Sequence, residues 1–260
     1  PLSPAQQGLV ELVDEAGTAP IKQRVVLGYL YTTTDGAPRP TDAIVPADLP
    51  RRYRDELLPA MERALAPLDE DATLEEALGA YLTFYALYAG VLAPALSTGK
   101  RLLPALLMQR LGPSEAPRSA WRLLAGTTSG LVGMPLLAAW DVVSAPGESV
   151  TLIPVTRPVK GEDVLARLSA VERREVQALL PLARQLACIA EEDDLLFARA
   201  QLGIRRALMR LAGRWGADLD DLVHLPLAEL RAAEPAERPP TNLAERAQEH
   251  RAERTRRRDL

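Results

Sequence analysis

Apolar residues recur every three to four positions along most of the chain, and proline or glycine breaks separate these stretches. Such spacing places the apolar side chains on one face of an α-helix. Ser3 followed by Pro4 is typical of an N-cap with proline in the first turn. The pattern predicts helices over 4–15, 50–66, 74–93, 100–111, 118–125 and 131–143. The short connections indicate neighbouring antiparallel helices in a bundle.

One stretch departs from this pattern. RVVLGYLYTTT, residues 24–34, is rich in β-branched residues and tyrosine and is followed by the turn dipeptide Asp35-Gly36. It predicts a strand, for which 150–156 is the plausible partner, and Pro154 would confine that partner to an edge. The expected fold is therefore mainly α, a helical bundle with a minor two-stranded β element.

A long helix is predicted in the second half of the chain. Ser169 followed three residues later by Glu172 has the spacing of a capping box and indicates where a helix begins. Pro181 is expected to kink or restart this helix, because proline removes a backbone donor and clashes with the preceding turn. From there the helical pattern continues over 182–213.

The end of the chain is dense in charge of both signs. The arginines are Arg246, Arg251, Arg254, Arg256, Arg257 and Arg258, and Glu245, Glu249, Glu253 and Asp259 interleave with them. Mixed charge favours a frayed, solvated helix over a nucleic-acid arm. Because Pro235 ends the compact part, we predict a helical domain over 1–234 and a charged tail over 235–260.

Composition supports a folded helical protein and excludes several classes. Apolar residues make up 47% of the chain and aromatic residues 4%, which is enough for a core but few residues that prefer strands. A net charge of −4 argues against nucleic acid as a partner. Cys188 is the only cysteine and no Cys/His cluster is present, so we expect no metal and no cofactor.

The location of the protein is predicted from apolar segments. The chain shows no secretory signal, so we expect it to be cytoplasmic. Residues 77–99 carry no formal charge, and the segment is long enough to cross a bilayer. Gly79, Gly90 and Pro94 dilute this segment, so a buried helix of a soluble core is favoured and no membrane partner is expected.

Four consecutive acids, Glu191 to Asp194, open the most informative stretch. At 100° per residue only Asp193 falls on the apolar line of the helix, which is formed by Leu186, Ile189, Leu196, Ala200, Ile204, Ala207 and Leu211. A carboxylate on a core-facing line is costly unless it is paired or hydrated. Asp193 is therefore expected to meet an arginine, a cavity or a ligand.

Three tyrosines share one face of the helix predicted over 74–93. Tyr81, Tyr85 and Tyr88 each need a hydrogen-bond partner if they are buried. The pattern fits core packing with hydroxyls that reach the surface, or a cavity for a molecule with polar and aromatic parts. With Trp140 and Asp193, these tyrosines are the predicted substrate-binding residues; no catalytic residue is assigned.

The stretches EEDDLLFARAQLGIRRALMRLAG (191–213) and DLDDLVHLPLAELRA (218–232) resemble the end of the central helical domain of phosphoenolpyruvate-utilising phosphotransferases. That group includes phosphoenolpyruvate synthase and rifampin phosphotransferase, and PLSPAQQGLVELV resembles the start of the same domain. The resemblance implies a substrate-binding domain that works with an ATP-grasp domain and a swivelling phosphohistidine domain. Neither His224 nor His250 has the small-residue setting of the family's phosphohistidine.

The chain also departs from the family pattern at the start of the acidic helix. Ala190 precedes Glu191 where the family often has arginine, and Asp194 and Leu195 occupy the positions of its lysine. The Tyr-Gly-His-Arg-like segment of the family is also missing. We therefore do not expect the chain to catalyse phosphoryl transfer by itself.

The leading hypothesis is a substrate-binding subunit of a split phosphotransferase system, which binds a small molecule and works with separate ATP-grasp and phosphohistidine proteins. A rival from another class is a non-catalytic helical scaffold, which exposed apolar patches would mark. A third is a magnesium-dependent helical enzyme that acts on a diphosphate. It would require a second acidic motif facing Asp193.

Overall fold

Helices form most of the chain that the computed structural model describes, which comprises residues 4–16, 22–26, 29–33, 45–69, 71–124, 162–235 and 238–258. The helices are α1 (Pro4–Glu15), α2 (Leu49–Arg52), α3 (Leu58–Leu65), α4 (Leu74–Leu87), α5 (Ala93–Lys100), α6 (Leu102–Leu111), α7 (Ala116–Leu124), α8 (Glu162–Ala166), α9 (Ala170–Trp215), α10 (Leu219–Val223), α11 (Leu227–Ala233) and α12 (Leu243–Arg258). The predicted mainly α bundle is confirmed.

Short turns of other helix types join some of these helices. A π-helical turn, Tyr53–Leu57, connects α2 to α3, and another, Tyr88–Leu92, connects α4 to α5. A 3-10 turn, Ala66–Asp69, follows α3. The predicted helix over 131–143 lies outside the described residues.

A small antiparallel hairpin follows α1. Strand β1 (Lys22–Val26) pairs with β2 (Tyr29–Thr33), with Lys22 opposite Thr33 and Val26 opposite Tyr29. The sequence predicted one strand over 24–34, whereas the structure divides this stretch in two. Gly28 falls between the two strands in sequence and is the signal for the break. The predicted partner, 150–156, lies outside the described residues.

The chain divides into two compact units that interleave in sequence. The first unit comprises Pro1–Pro40, Met61–Gly90 and Arg199–Leu260, and the second comprises Thr41–Ala60 and Val91–Ala198. This division differs from the predicted boundary before Pro235, because 238–258 belongs to the first unit together with the N-terminal helix.

The second unit has a core of aliphatic side chains from α6, α7, α8 and the first half of α9. Its buried members are Leu103, Leu107, Ala116, Ala120, Leu123, Val164, Leu168, Val176, Leu180 and Ala183. In the same unit Gly99 of α5 lies directly against Leu186 of α9, since a Cβ added to this glycine would stand 2.6 Å from the Leu186 Cδ1 atom. A larger residue at position 99 would therefore displace the end of the Leu186 side chain.

Helix α9 is 46 residues long and begins with the predicted capping box. The Ser169 N–H donates to Glu172 Oε2 at 2.9 Å, and the Glu172 N–H donates to Ser169 Oγ at 3.3 Å. The helix continues through Pro181, where the sequence predicted a kink or a restart. Packing of Leu180 and Ala183 in the core of the second unit holds the helix on both sides of the proline.

The N-terminus of α4 is capped by groups that are distant in sequence. Thr73 and Glu76 form a capping box, in which the Thr73 hydroxyl accepts from the Glu76 N–H at 3.2 Å. The Glu234 carboxylate accepts from the Leu74 N–H at 2.7 Å and from the Glu75 N–H at 3.1 Å. A carboxylate at this position satisfies donors that the helix leaves unbonded and complements the helix dipole.

The C-terminal helix α12 is held against the first unit, which differs from the predicted frayed and solvated helix. Leu243 and Ala247 are buried. Arg246 forms an ion pair with Glu229 of α11, and Arg251 forms ion pairs with two aspartates of α10. The arginines that the sequence assigned to solvent therefore fasten this helix to its neighbours.

The helical run Leu74–Leu111 is the one stretch of the described residues that is long and apolar enough to cross a bilayer. In its most apolar window 44% of the residues are buried. This is weak evidence for a membrane span, because core helices of soluble proteins pass the same test.

Replacement of Glu234 tests the cap of α4. Glu234→Ala removes the acceptor of two backbone donors and the partner of Arg214, so the free energy of unfolding should fall by about 1–3 kcal/mol. Urea denaturation monitored by circular dichroism measures this. Glu11→Ala on the exposed side of α1 is the control and should cost less than about 0.5 kcal/mol; equal losses in the two variants would contradict the capping role.

Two glycines of α9 form a matched pair for testing its packing. A Cβ added to Gly203 would lie 2.7 Å from Leu68 Cβ, whereas one added to Gly213 would meet nothing within 4 Å. Gly213→Ala should stabilise the protein by up to about 1 kcal/mol through helix propensity. Gly203→Ala should destabilise it by about 1–3 kcal/mol because of the clash. Thermal unfolding of both variants measures the difference, and a gain in both would refute the close contact.

Candidate functional site

Asp193 lies on the buried side of α9, as the sequence predicted. Its side chain and backbone together are only 5% exposed. The seven predicted apolar neighbours on this line are all buried, namely Leu186, Ile189, Leu196, Ala200, Ile204, Ala207 and Leu211. Glu192 and Asp194 are exposed and Glu191 is half-buried. The four acids therefore do not form one site, and Asp193 alone enters the protein.

The surroundings of Asp193 favour its protonated form. Burial raises the pKa of Asp193 to about 7, and the negative charge of Asp194 and a hydrogen bond with Asp194 add to this effect. The ammonium group of Lys100, at the end of α5, acts in the opposite direction and lowers the pKa. Among the described residues Asp193 forms no ion pair within 4.0 Å, so the predicted structural ion pair with an arginine is not found there.

A carboxyl group in this state can act in two ways. When it is protonated it can donate a hydrogen bond, and when it is ionised it can accept from a hydroxyl or hold an amine. A pKa near 7 means that both forms are populated near neutral pH. The surroundings of Asp193 therefore move its titration into the neutral pH range.

The three predicted tyrosines form a ladder of rings on α4 and the π-helical turn after it. The ring centroids of Tyr81 and Tyr85 are 5.8 Å apart, and those of Tyr85 and Tyr88 are 6.0 Å apart. Tyr81 and Tyr85 are buried, Tyr88 is half-buried, and Phe84 stacks on Tyr88 at 6.1 Å. Burial raises the pKa of Tyr81 far above its ordinary value, so its hydroxyl stays protonated.

The predicted substrate-binding set is not assembled within either unit. The tyrosines belong to the first unit and Asp193 to the second. Trp140 lies outside the described residues. Tyr81 and Tyr85 are each 5% exposed and their rings are neighbours, which fits the predicted alternative of core packing.

Each unit has an open groove on its described surface. The groove of the first unit has a volume of about 650 Å³ and is lined by Arg63, Asp71, Glu76 and Thr83 around a floor of small residues. The groove of the second unit has a volume of about 470 Å³ and runs along α6 from Thr98 to Gln109. The described members of the predicted site, Tyr81, Tyr85, Tyr88 and Asp193, do not line either groove.

A second acidic cluster, in α10, has a structural role that sequence reasoning missed. Asp218 caps α10 by accepting from the Asp220 N–H at 2.9 Å. His224 is buried, and its Nδ1 atom lies 2.7 Å from the backbone oxygen of Asp220. Arg251 bonds to Asp220 and, at 3.3 Å, to Asp221. The sequence expected these acids to be solvated, and only the distant arginine reveals their role.

Among the described residues, no three His, Cys, Asp or Glu side chains lie close enough together to bind one metal ion. Among the described residues, Asp194 is the acid whose charge acts on Asp193. Comparison with family models, with curated proteins and with solved structures finds no match to the chain.

The raised pKa predicts how stability depends on pH. Between about pH 4 and pH 7 the folded protein keeps a proton on Asp193 that the unfolded chain releases, so this group makes the protein less stable as the pH rises. Asp193→Asn removes the ionisation and should match the wild type at pH 4. At pH 8 the variant should be more stable by on the order of 4 kcal/mol, at about 1.4 kcal/mol per pKa unit.

Urea denaturation from pH 4 to pH 8 measures this difference. Glu192→Gln, at the neighbouring exposed position, is the matched control, and its curve should run parallel to that of the wild type. Parallel curves for Asp193→Asn and the wild type would show that Asp193 is not a protonated group in the folded protein.

Proposed function

We propose that this chain is the substrate-binding part of a phosphotransferase system of the phosphoenolpyruvate-utilising kind. In this proposal it binds a small hydroxyl- or amine-bearing molecule next to α9. Phosphoryl transfer is carried out with ATP-grasp and phosphohistidine proteins. The observation that carries the proposal is Asp193, a buried acid without an ion pair in the described part of the chain, in the helix that resembles the family.

The physical support comes from the cost of burying a carboxyl group. A protein that needed only packing at position 193 would use an aliphatic residue, as it does at Ile189 and Leu196 on the same line. Buried acids with strongly shifted pKa values are concentrated at functional sites of proteins. Because Lys100 acts on the same carboxyl group, a ligand here would meet an acid and a cation together.

The order of elements in the C-terminal part also supports the resemblance. The acidic opening of 191–213 lies on one unbroken helix, α9, and the Asp-Asp-hydrophobic segment and the Leu-x-Glu-Leu segment form the short helices α10 and α11 directly after it. The family pattern implies this succession of a long helix, a tight turn and a short helix. The match concerns the order of local elements.

A helical scaffold is a second candidate, because large apolar side chains are exposed on the described surface. Met108 is 49% exposed, Trp121 is 57% exposed and Val171 is 63% exposed, all in the second unit. The scaffold hypothesis accounts for these exposed residues but gives Asp193 no role. The substrate-binding hypothesis accounts for Asp193, and the exposed apolar residues would then belong to a separate surface.

Ligand binding by the purified protein distinguishes these functions. Thermal unfolding should be followed at pH 7 with a panel of amino alcohols, hydroxy acids, sugars and phosphoenolpyruvate, and each hit should be titrated by calorimetry. We expect at least one hydroxyl- or amine-bearing compound to bind, and Asp193→Asn to weaken its binding at least tenfold. Glu192→Gln should bind it as the wild type does.

Two other outcomes would overturn the proposal. Binding that is equal in Asp193→Asn and the wild type would remove Asp193 from the site. No stabilisation by any compound, together with stabilisation by MgCl₂ alone, would favour the magnesium-dependent alternative.

A further inference from the structure

One surface of the second unit differs in charge from the rest of the protein. Residues 100–124 contain five basic side chains and one acidic side chain, in a chain of net charge −4. They are Lys100, Arg101, Arg110, Arg118 and Arg122, with Glu115 as the acid. No acid at all occurs from 77 to 114. We call α6, α7 and the turn between them, together with Lys100 and Arg101, the basic hairpin.

Most of the positive charge on the basic hairpin is not neutralised inside the protein. Arg110 is paired with Glu172 and Glu175 of α9, and Glu115 is paired with Arg167. In the described part of the chain, Lys100, Arg101, Arg118 and Arg122 form no ion pair within 4.0 Å. The single acid is thus already occupied, and the remaining four cations face solvent.

Helix α7 presents apolar surface among these cations. Its buried side consists of Ala116, Ala120 and Leu123. Trp121 is 57% exposed on the opposite side, where Arg118 precedes it by three positions and Arg122 follows it. The exposed indole ring thus lies beside two arginines that form no ion pair within the described residues.

Helix α6 contributes further apolar surface. Met108 is 49% exposed, Ala105 is exposed, and Leu102 and Leu106 are only partly buried. Leu102 and Leu106 line the shallow groove of about 470 Å³, with Arg101 also in its lining. Acid-free helices with apolar residues, a tryptophan and flanking cations are typical of segments that lie at a membrane interface.

We propose that the basic hairpin binds the surface of an anionic lipid bilayer, with Trp121 at the level of the headgroups and Arg118, Arg122, Lys100 and Arg101 against lipid phosphates. The acid-free apolar surface of α6 favours lipid over nucleic acid, which would leave Met108 and the partly buried leucines without a partner. The contact is peripheral and differs from a membrane span. It also departs from the sequence-based expectation of no membrane partner.

Vesicle flotation with the full chain tests this proposal. The probes are vesicles of phosphatidylcholine alone and vesicles with 30% phosphatidylglycerol. We expect binding to the anionic vesicles only, and its loss in 0.5 M NaCl. Arg118→Glu/Arg122→Glu should weaken binding by at least about 25-fold, at roughly fivefold or more for each arginine. Trp121→Ala should weaken it roughly tenfold.

The matched control changes the same amount of charge on the same unit. Arg174→Glu/Arg184→Glu replaces two exposed arginines of α9 and should reduce binding less than threefold. Circular dichroism should show that all variants fold, as expected for exposed positions. A blue shift of tryptophan emission on binding, absent in Trp121→Phe, would place this indole in the interface.

Three results would overturn the proposal. They are equal binding to both vesicle types or to neither, equal loss in the two double variants, and preferential binding of an acidic peptide or an oligonucleotide that leaves Trp121 emission unchanged. None of these variants changes Asp193, so failure of the vesicle experiment is distinguishable from failure of the ligand-binding experiment at Asp193.

Discussion

The long helix α9 can pack only if one line of its surface stays apolar, and the rest of the structure depends on this constraint. Leu186 of α9 lies directly against Gly99 of α5. Further along α9, Gly203 lies directly against Leu68. A Cβ at Gly203 would clash with the Leu68 Cβ atom, and a Cβ at Gly99 would displace the end of the Leu186 side chain. A continuous helix therefore sets where its neighbours can approach, and Pro181 is tolerated because core residues on either side hold it in place.

The apolar line could be predicted from sequence because it depends on helical periodicity alone. The same rule identified Asp193 as the acid on that line, and its burial is confirmed. The capping box of Ser169 and the bounds of α1 were predicted for a similar reason, since each depends on residues within one or two turns. Local signals were sufficient wherever a local interaction decided the structure.

Features that depend on distant partners could not be predicted in this way. The arginines of α12 looked solvated because nothing near them in sequence indicates that Arg251 meets Asp220. Nothing near Glu234 in sequence indicates its role as a cap, which depends on the N-terminus of α4 lying beside it. The tyrosines were correctly placed on one face of α4, but periodicity does not distinguish a dry ring ladder from the wall of a cavity.

Lys100 connects the two proposals through electrostatics. It lowers the pKa of Asp193, and it is also one of the cations of the basic hairpin. An anion that pairs with Lys100 weakens the positive potential at Asp193, so the pKa of Asp193 rises and the protonated carboxyl group is favoured. By linkage, protonation of Asp193 must then favour binding of the anion to the same degree. The two proposals together therefore imply that the charge state of the buried acid and the binding of anions at the basic hairpin are coupled through the exposed ammonium group of Lys100.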